Sequence, residues 1–108
     1  YLDRGKSVTN ALKNILGATC QICGWEGFEK SDGDKYIEAH HLVQVSEKVP
    51  GSLCTENIIL LCPNCHRKIH HGREITVSEE SNFLVISSLE QKRRIHRNTM
   101  SHLSSLAH

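Results

Sequence analysis

The sequence predicts a small α+β domain: an N-terminal helix, a strand–strand–helix core held by a metal staple, and a C-terminal hairpin or helix. Three observations predict it. Apolar residues recur with helical period over 8–16, short β-prone runs at 36–43 and 58–61 flank a Pro-Gly loop, and four cysteines form two Cys-x-x-Cys pairs. At 108 residues the chain is one domain, 1–108, and a core of that size gains from a crosslink. An aromatic content of 5% argues against a large β sandwich and for a mixed domain that leans on a metal.

The elements follow in order. Val8, Ala11, Leu12, Ile15 and Leu16 fall at i, i+3, i+4, i+7 and i+8, with Ser7 as the expected N-cap and Gly17 as the stop. Cys20-Gln-Ile-Cys23-Gly24 reads as a tight metal-binding knuckle, and Glu29 to Lys35 as a polar loop. Tyr36 to Val43 is placed on a strand, Pro50-Gly51 marks the long loop after it, and Ile58 to Leu61 is a continuous apolar run, as a buried strand would be. Pro63 suits the first turn of a helix that Gly72 ends. Glu74 to Val77 and Phe83 to Ser87 read as two strands joined through 78–82. Ser87-Ser88-Leu89-Glu90 has the form of a capping box that would start a C-terminal helix through the basic tail.

The net charge of +1 gives no bulk argument for nucleic acid, but the charge is unevenly placed. Glu26, Glu29, Asp32, Asp34 and Glu38 make one stretch acidic, while Arg67 to Arg73 and Lys92, Arg93, Arg94 and Arg97 are basic. Taken alone, such runs are ordinary solvated faces. An odd cysteine count with two Cys-x-x-Cys pairs points to metal ligation in a reducing, cytoplasmic compartment rather than a disulfide framework. No run reaches the length of a membrane span, and the first residues are not a signal peptide. The chain starts at Tyr1 without methionine, so it reads as a fragment whose missing part would hold any recognition domain. Cys54 has no partner in this pattern.

Cys20, Cys23, Cys62 and Cys65 are the strongest single signal. Each pair holds two thiolates on one turn, and two turns complete a tetrahedral zinc site with no open position, hence a structural one. A redox dithiol would need only one pair, and neither lies in a thioredoxin-like βαβ context. His66 and His70, four apart on the expected helix, share one face. That pair alone is weak evidence. His40 and His41 on a strand shortly before the helix shift the balance towards a site, although neighbours on a regular strand point to opposite faces, so the strand must end or bend there if both serve it. Asn57 on its own is a turn residue.

Together, Glu38-Ala39-His40-His41, Asn57-Ile58-Ile59 and His66-Arg67-Lys68-Ile69-His70-His71-Gly72 resemble the ββα-metal motif of the HNH endonucleases, over roughly 18–73. The flanking Cys-x-x-Cys pairs are similar to the zinc-containing, treble-clef-like branch with four cysteine ligands, in which restriction enzymes are common. The resemblance implies His40 and His66 as ligands of a catalytic metal, with His70 a third ligand in some members. It implies His41 as general base, Asn57 as the residue that fixes the loop and so the base, and Glu38 as an acid that orients a histidine. Cys65 and His66, neighbours at a helix start, would serve different metals because they diverge by about 100°.

The chemistry suits these residue types. A neutral imidazole can take a proton from water near neutral pH. A divalent ion, Mg2+, Mn2+, Ni2+ or Zn2+ on this donor set, would neutralise the scissile phosphate. The resemblance implies DNA, expected to be double-stranded, as the partner, products with 5′-phosphate and 3′-hydroxyl ends, and a restriction or defence role. Arg67, Lys68 and Arg73 are candidates to contact its backbone. Cutting both strands usually needs two active sites, which a homodimer would provide. Two competing readings stand: a non-catalytic treble-clef zinc module binding DNA or protein, and an enzyme of the same kind acting on RNA or structured DNA.

Overall fold

A computed structural model describes residues 6–42 and 55–106. Helix α1 (Lys6–Leu16) is followed by strand β1 (Glu38–His41), a 3₁₀ turn (Thr55–Asn57), strand β2 (Ile58–Leu61) and helix α2 (Pro63–His71). Strands β3 (Ile75–Glu79), β4 (Phe83–Ser88) and β5 (Lys92–His96) and helix α3 (Met100–Leu106) complete it. β1 pairs antiparallel with β2, Glu38 opposite Leu61 and His41 opposite Ile58. β3, β4 and β5 form a separate antiparallel sheet in that order.

β2 is the centre of the domain. All four of its residues are buried, because strand alternation sends them in turn into two cores. Ile59 and Leu61 join Cys20, Cys62, Cys65 and the β4 residues Leu84 and Ile86. Ile58 and Leu60 face the other way, onto Leu12 of α1, Ile37 and Leu103 of α3. Both faces covered is the reason the sequence runs apolar without alternation there. Each of these side chains contributes roughly 1.5–3 kcal/mol by leaving water.

The outer edge of β2 is closed by two amide residues. The Gln21 backbone N–H donates to Leu60 O at 2.8 Å, and its side-chain Oε1 accepts the Leu60 N–H at 2.9 Å. Asn98, only 2% exposed, donates Nδ2 to Ile58 O at 2.7 Å and to Gln21 Oε1 at 3.0 Å. The knuckle and the C-terminal segment thus meet on one strand, and the buried carbonyls find partners.

The first helix ends at Gly17 as expected. Its φ of +81° is the left-handed cap that glycine takes without strain, and its N–H reaches Lys13 O at 2.9 Å. The helix already runs at Lys6, so Ser7 lies inside it rather than capping it. β1 is shorter than the expected 36–43, and β3 begins at Ile75 rather than Glu74. Pro50-Gly51 and Cys54 lie outside the described residues.

The expected helix from Ser87 is corrected. Ser88 Oγ does accept the Gln91 N–H, at 3.3 Å, and the Ser88 N–H meets Gln91 O at 2.8 Å. This i to i+3 contact closes a tight turn between β4 and β5 instead of capping a helix. Leu89 is 81% exposed, so no apolar stripe rewards a helix there, whereas Ile95 on β5 packs against the cysteine-side core. The helix comes later, where Thr99 Oγ1 accepts the His102 N–H at 3.2 Å and Leu103 is buried.

Asn98→Ala strands the Ile58 carbonyl and half of the Gln21 amide in the interior. The expected loss is about 1–3 kcal/mol, read as a lower urea midpoint with the zinc content unchanged.

Candidate active site

Two clusters of ligand-bearing side chains flank the start of α2. In the first, one ligand atom from each of Cys20, Cys23, Cys62 and Cys65 lies within 4.8 Å of the others. Cys23 Sγ and Cys62 Sγ are 3.6 Å apart, far too long for a disulfide and close to the edge of a zinc–thiolate tetrahedron, about 3.8 Å for ~2.3 Å bonds. The local backbone builds both turns. Gly24, at φ +81°, lets its N–H reach back to Cys20 O at 3.0 Å. Cys62 is the N-cap of α2, followed by Pro63, and its Sγ accepts the Cys65 N–H at 3.3 Å. A helix N-terminus favours a thiolate.

The thiols titrate apart. Burial works against ionisation of Cys20, but N–H groups of Cys23, Cys62 and Ile22 outweigh it and pull the thiol down to about 7. Burial pushes Cys65 and Cys23 up, and the crowded sulfurs reinforce this at Cys65. Four sulfurs so close are held together as anions only by a cation, and the closed, all-thiolate donor set is that of structural zinc.

The second cluster brings together His40 of β1 with His66 and His70 of α2, one ring nitrogen of each within 4.8 Å of the others. His40 Nδ1 is 3.3 Å from His70 Nε2, which is 3.1 Å from His66 Nε2. Metal–nitrogen bonds of ~2.0–2.1 Å place neighbouring ligands about 3.0–3.4 Å apart, so the three imidazoles fit one ion. Burial, then the charges of His66, His70 and His41, lowers the His40 pKa to about 4, leaving a neutral imidazole with a lone pair to donate.

Glu38 orients His66: its Oε1 lies 2.9 Å from His66 Nδ1, which leaves Nε2 turned to the cluster. The other carboxylate oxygen accepts a hydrogen bond from the Tyr36 hydroxyl. That bond, with the His66 contact behind it, holds the Glu38 carboxyl below its usual range. No motif in the sequence marks Tyr36. The available signal is the period of two that places Tyr36, Glu38 and His40 on one face.

His41 sits at the last position of β1, where the strand ends, as the adjacency of the two histidines requires. Its Nε2 is buried and has no hydrogen-bond partner among the described residues. Burial, then the charge on His66, depresses its pKa. Asn57, 4% exposed, closes the 3₁₀ turn before β2, and its carbonyl accepts the Leu42 N–H at 2.9 Å, joining the two chain segments beside His41. Of the basic candidates, Arg67 of α2 is within electrostatic reach of Glu38 and Tyr36. Lys68 pairs with Glu74 at 3.4 Å, and Arg73 is exposed beyond the helix.

A family model described as HNH endonuclease matches residues 20–72, the span that holds both clusters. The chain belongs to the HNH endonuclease family. Its α+β fold with a four-cysteine cluster is that of a zinc-stapled HNH domain. Among curated proteins, this HNH chain is 34% identical over 73 residues to the type IV methyl-directed restriction enzyme EcoKMcrA of Escherichia coli (strain K12), covering 67% of the chain and 26% of that protein. It is 39% identical over 61 residues to anaredoxin of Nostoc sp., 56% of the chain and 68% of that protein. The chain therefore spans about a quarter of the restriction enzyme's length. No solved structure matches significantly.

Cys62→Ser removes one thiolate of the four-sulfur site while leaving a hydroxyl able to cap α2. Loss of bound zinc and collapse of the far-ultraviolet helical signal are expected, since such sites carry on the order of 10 kcal/mol of folding free energy. Glu38→Gln keeps the fold but loosens His66, weakening affinity for a second divalent ion about 10- to 100-fold by calorimetry.

Proposed function

We propose that this chain is a metal-dependent DNA endonuclease of restriction type that hydrolyses phosphodiester bonds. One observation carries the reading: three imidazoles converge on a point suited to one ion, and the neighbouring His41 has a buried ring nitrogen with no partner among the described residues. An unsatisfied buried nitrogen is costly, and substrate water would satisfy it.

His40, His66 and His70 hold the ion, and Glu38 fixes His66 by its Nδ1. When bound, a divalent ion supplies charge neutralisation at the scissile phosphate and the leaving oxygen. His41 accepts the proton of the attacking water, and Asn57 holds the segment that positions it. Arg67, and less directly Lys68 and Arg73, steady the backbone of double-stranded DNA without reading its sequence. Sequence choice then falls to further protein, and a homodimer provides the two sites that cutting both strands needs. The similarity to a restriction enzyme supports the substrate class, and the thiolate cluster suits the reducing cytoplasm.

Conversion of supercoiled plasmid to nicked and linear forms with magnesium or manganese tests this. His41→Ala is expected to lose about 10²–10⁴ in rate at unchanged zinc content; equal activity of the two proteins sinks the reading. Because the His41 pKa is depressed, the base stays neutral under mild acid. The rate should therefore hold as pH falls through about 6.5, the ordinary histidine value, and drop only below it.

A further inference from the structure

Three aromatic side chains form a ladder that runs away from the histidine cluster. Tyr36 and Phe28 stack nearly parallel, centroids 5.1 Å apart at 8°, and Trp25 meets Phe28 at right angles, 6.2 Å away. Backbone bonds hold the order: Tyr36 N–H to Phe28 O and Cys20 N–H to Trp25 O, both 2.8 Å. The inner end is tied to the site, since the Tyr36 hydroxyl bonds the carboxylate that orients His66. The outer end is open, with Phe28 50% and Trp25 38% exposed. None of the three belongs to either apolar core.

The charges around the ladder narrow what covers it. Asp32 is paired with Lys30 and Asp34 with Lys13, so the aspartates of the acidic stretch are offset. Glu26 and Glu29, exposed and next in the chain to Trp25 and Phe28, keep that segment acidic and disfavour a phosphate chain lying along it. At the inner end Arg67 of α2 is within electrostatic reach of Tyr36 and Glu38, which the Tyr36 hydroxyl–Glu38 hydrogen bond joins. A neutral, flat occupant at the rings with its phosphate at the cationic end fits this pattern. Base stacking is tolerant of sequence and needs no phosphate contact at the ring.

We propose that Trp25 and Phe28 form a stacking platform for an unpaired nucleobase of the strand being cut, so that the site favours DNA with a single-stranded or mismatched base next to the scissile phosphate. The inference rests on the nuclease reading and deepens it, naming a substrate class for the same site.

Trp25 is the chain's only tryptophan, so its emission reports on the platform in the unaltered protein. The zinc-loaded chain, without a second divalent ion, is titrated with an oligothymidine strand, a matched duplex and the same duplex carrying one unpaired base. Emission should respond to the first and third at about fivefold or more tighter binding than to the matched duplex. Phe28→Ala should weaken that binding about tenfold and Phe28→Tyr restore it. Plasmid nicking is measured on the same preparation. Nicking with no emission response to any oligonucleotide overturns the platform and leaves the nuclease standing. A response without nicking supports the platform and removes the nuclease. Emission that follows protein concentration alone means a second copy covers the rings, which also overturns the proposal.

Discussion

Everything in this domain depends on four sulfurs being gathered into one cluster. The knuckle at Cys20 and Cys23 and the turn at Cys62 and Cys65 are remote in sequence, and the thiols resist sharing a small volume unless a cation joins them. Once joined, the knuckle places Gln21 on the free edge of β2, and the Cys62 cap sets where α2 begins. The helix start then decides which turn carries His66 and His70. The four-cysteine cluster thereby aims the histidine cluster, although no residue is shared between them.

The histidine cluster shows the opposite pressure. Burial, and then the neighbouring imidazoles, His70 at 3.3 Å among them, keep His40 neutral far into acid. Ring nitrogens crowded at metal-ligand spacing gain little as packing and much as a donor set. Glu38 and Tyr36 extend the polar network from the cluster towards the surface, so the carboxylate is shared between orienting His66 and anchoring a ring.

β2 links the two halves. Its four residues alternate between a core containing the cysteines and a core built on α1 and α3, while β1 lies on one edge and two amides on the other. Movement of this strand would therefore be felt at the zinc-type site, at His41 across the strand pair and at the C-terminal segment.

Much of this is legible in the chain itself, where the determinant is local. Cys-x-x-Cys spacing, the i, i+4 histidines, the unbroken apolar run of β2 and the Pro63 start of α2 each express a short-range geometry, and each stands where the pattern places it. The capping-box pattern at Ser87 fails because Ser87 pairs with Lys92 in the β4–β5 ladder and its neighbour Ser88 closes a hairpin turn, a choice that the packing of Ile95 favours. Asn98, Gln21 and Tyr36 are illegible for a related reason: an amide or a phenol says nothing about its partner until the chain brings a bare carbonyl or carboxylate to it. Local spacing determined which groups could bind metal; long-range packing alone decided which nitrogen faces the cluster, which is left buried without a partner among the described residues, and which rings stay in water.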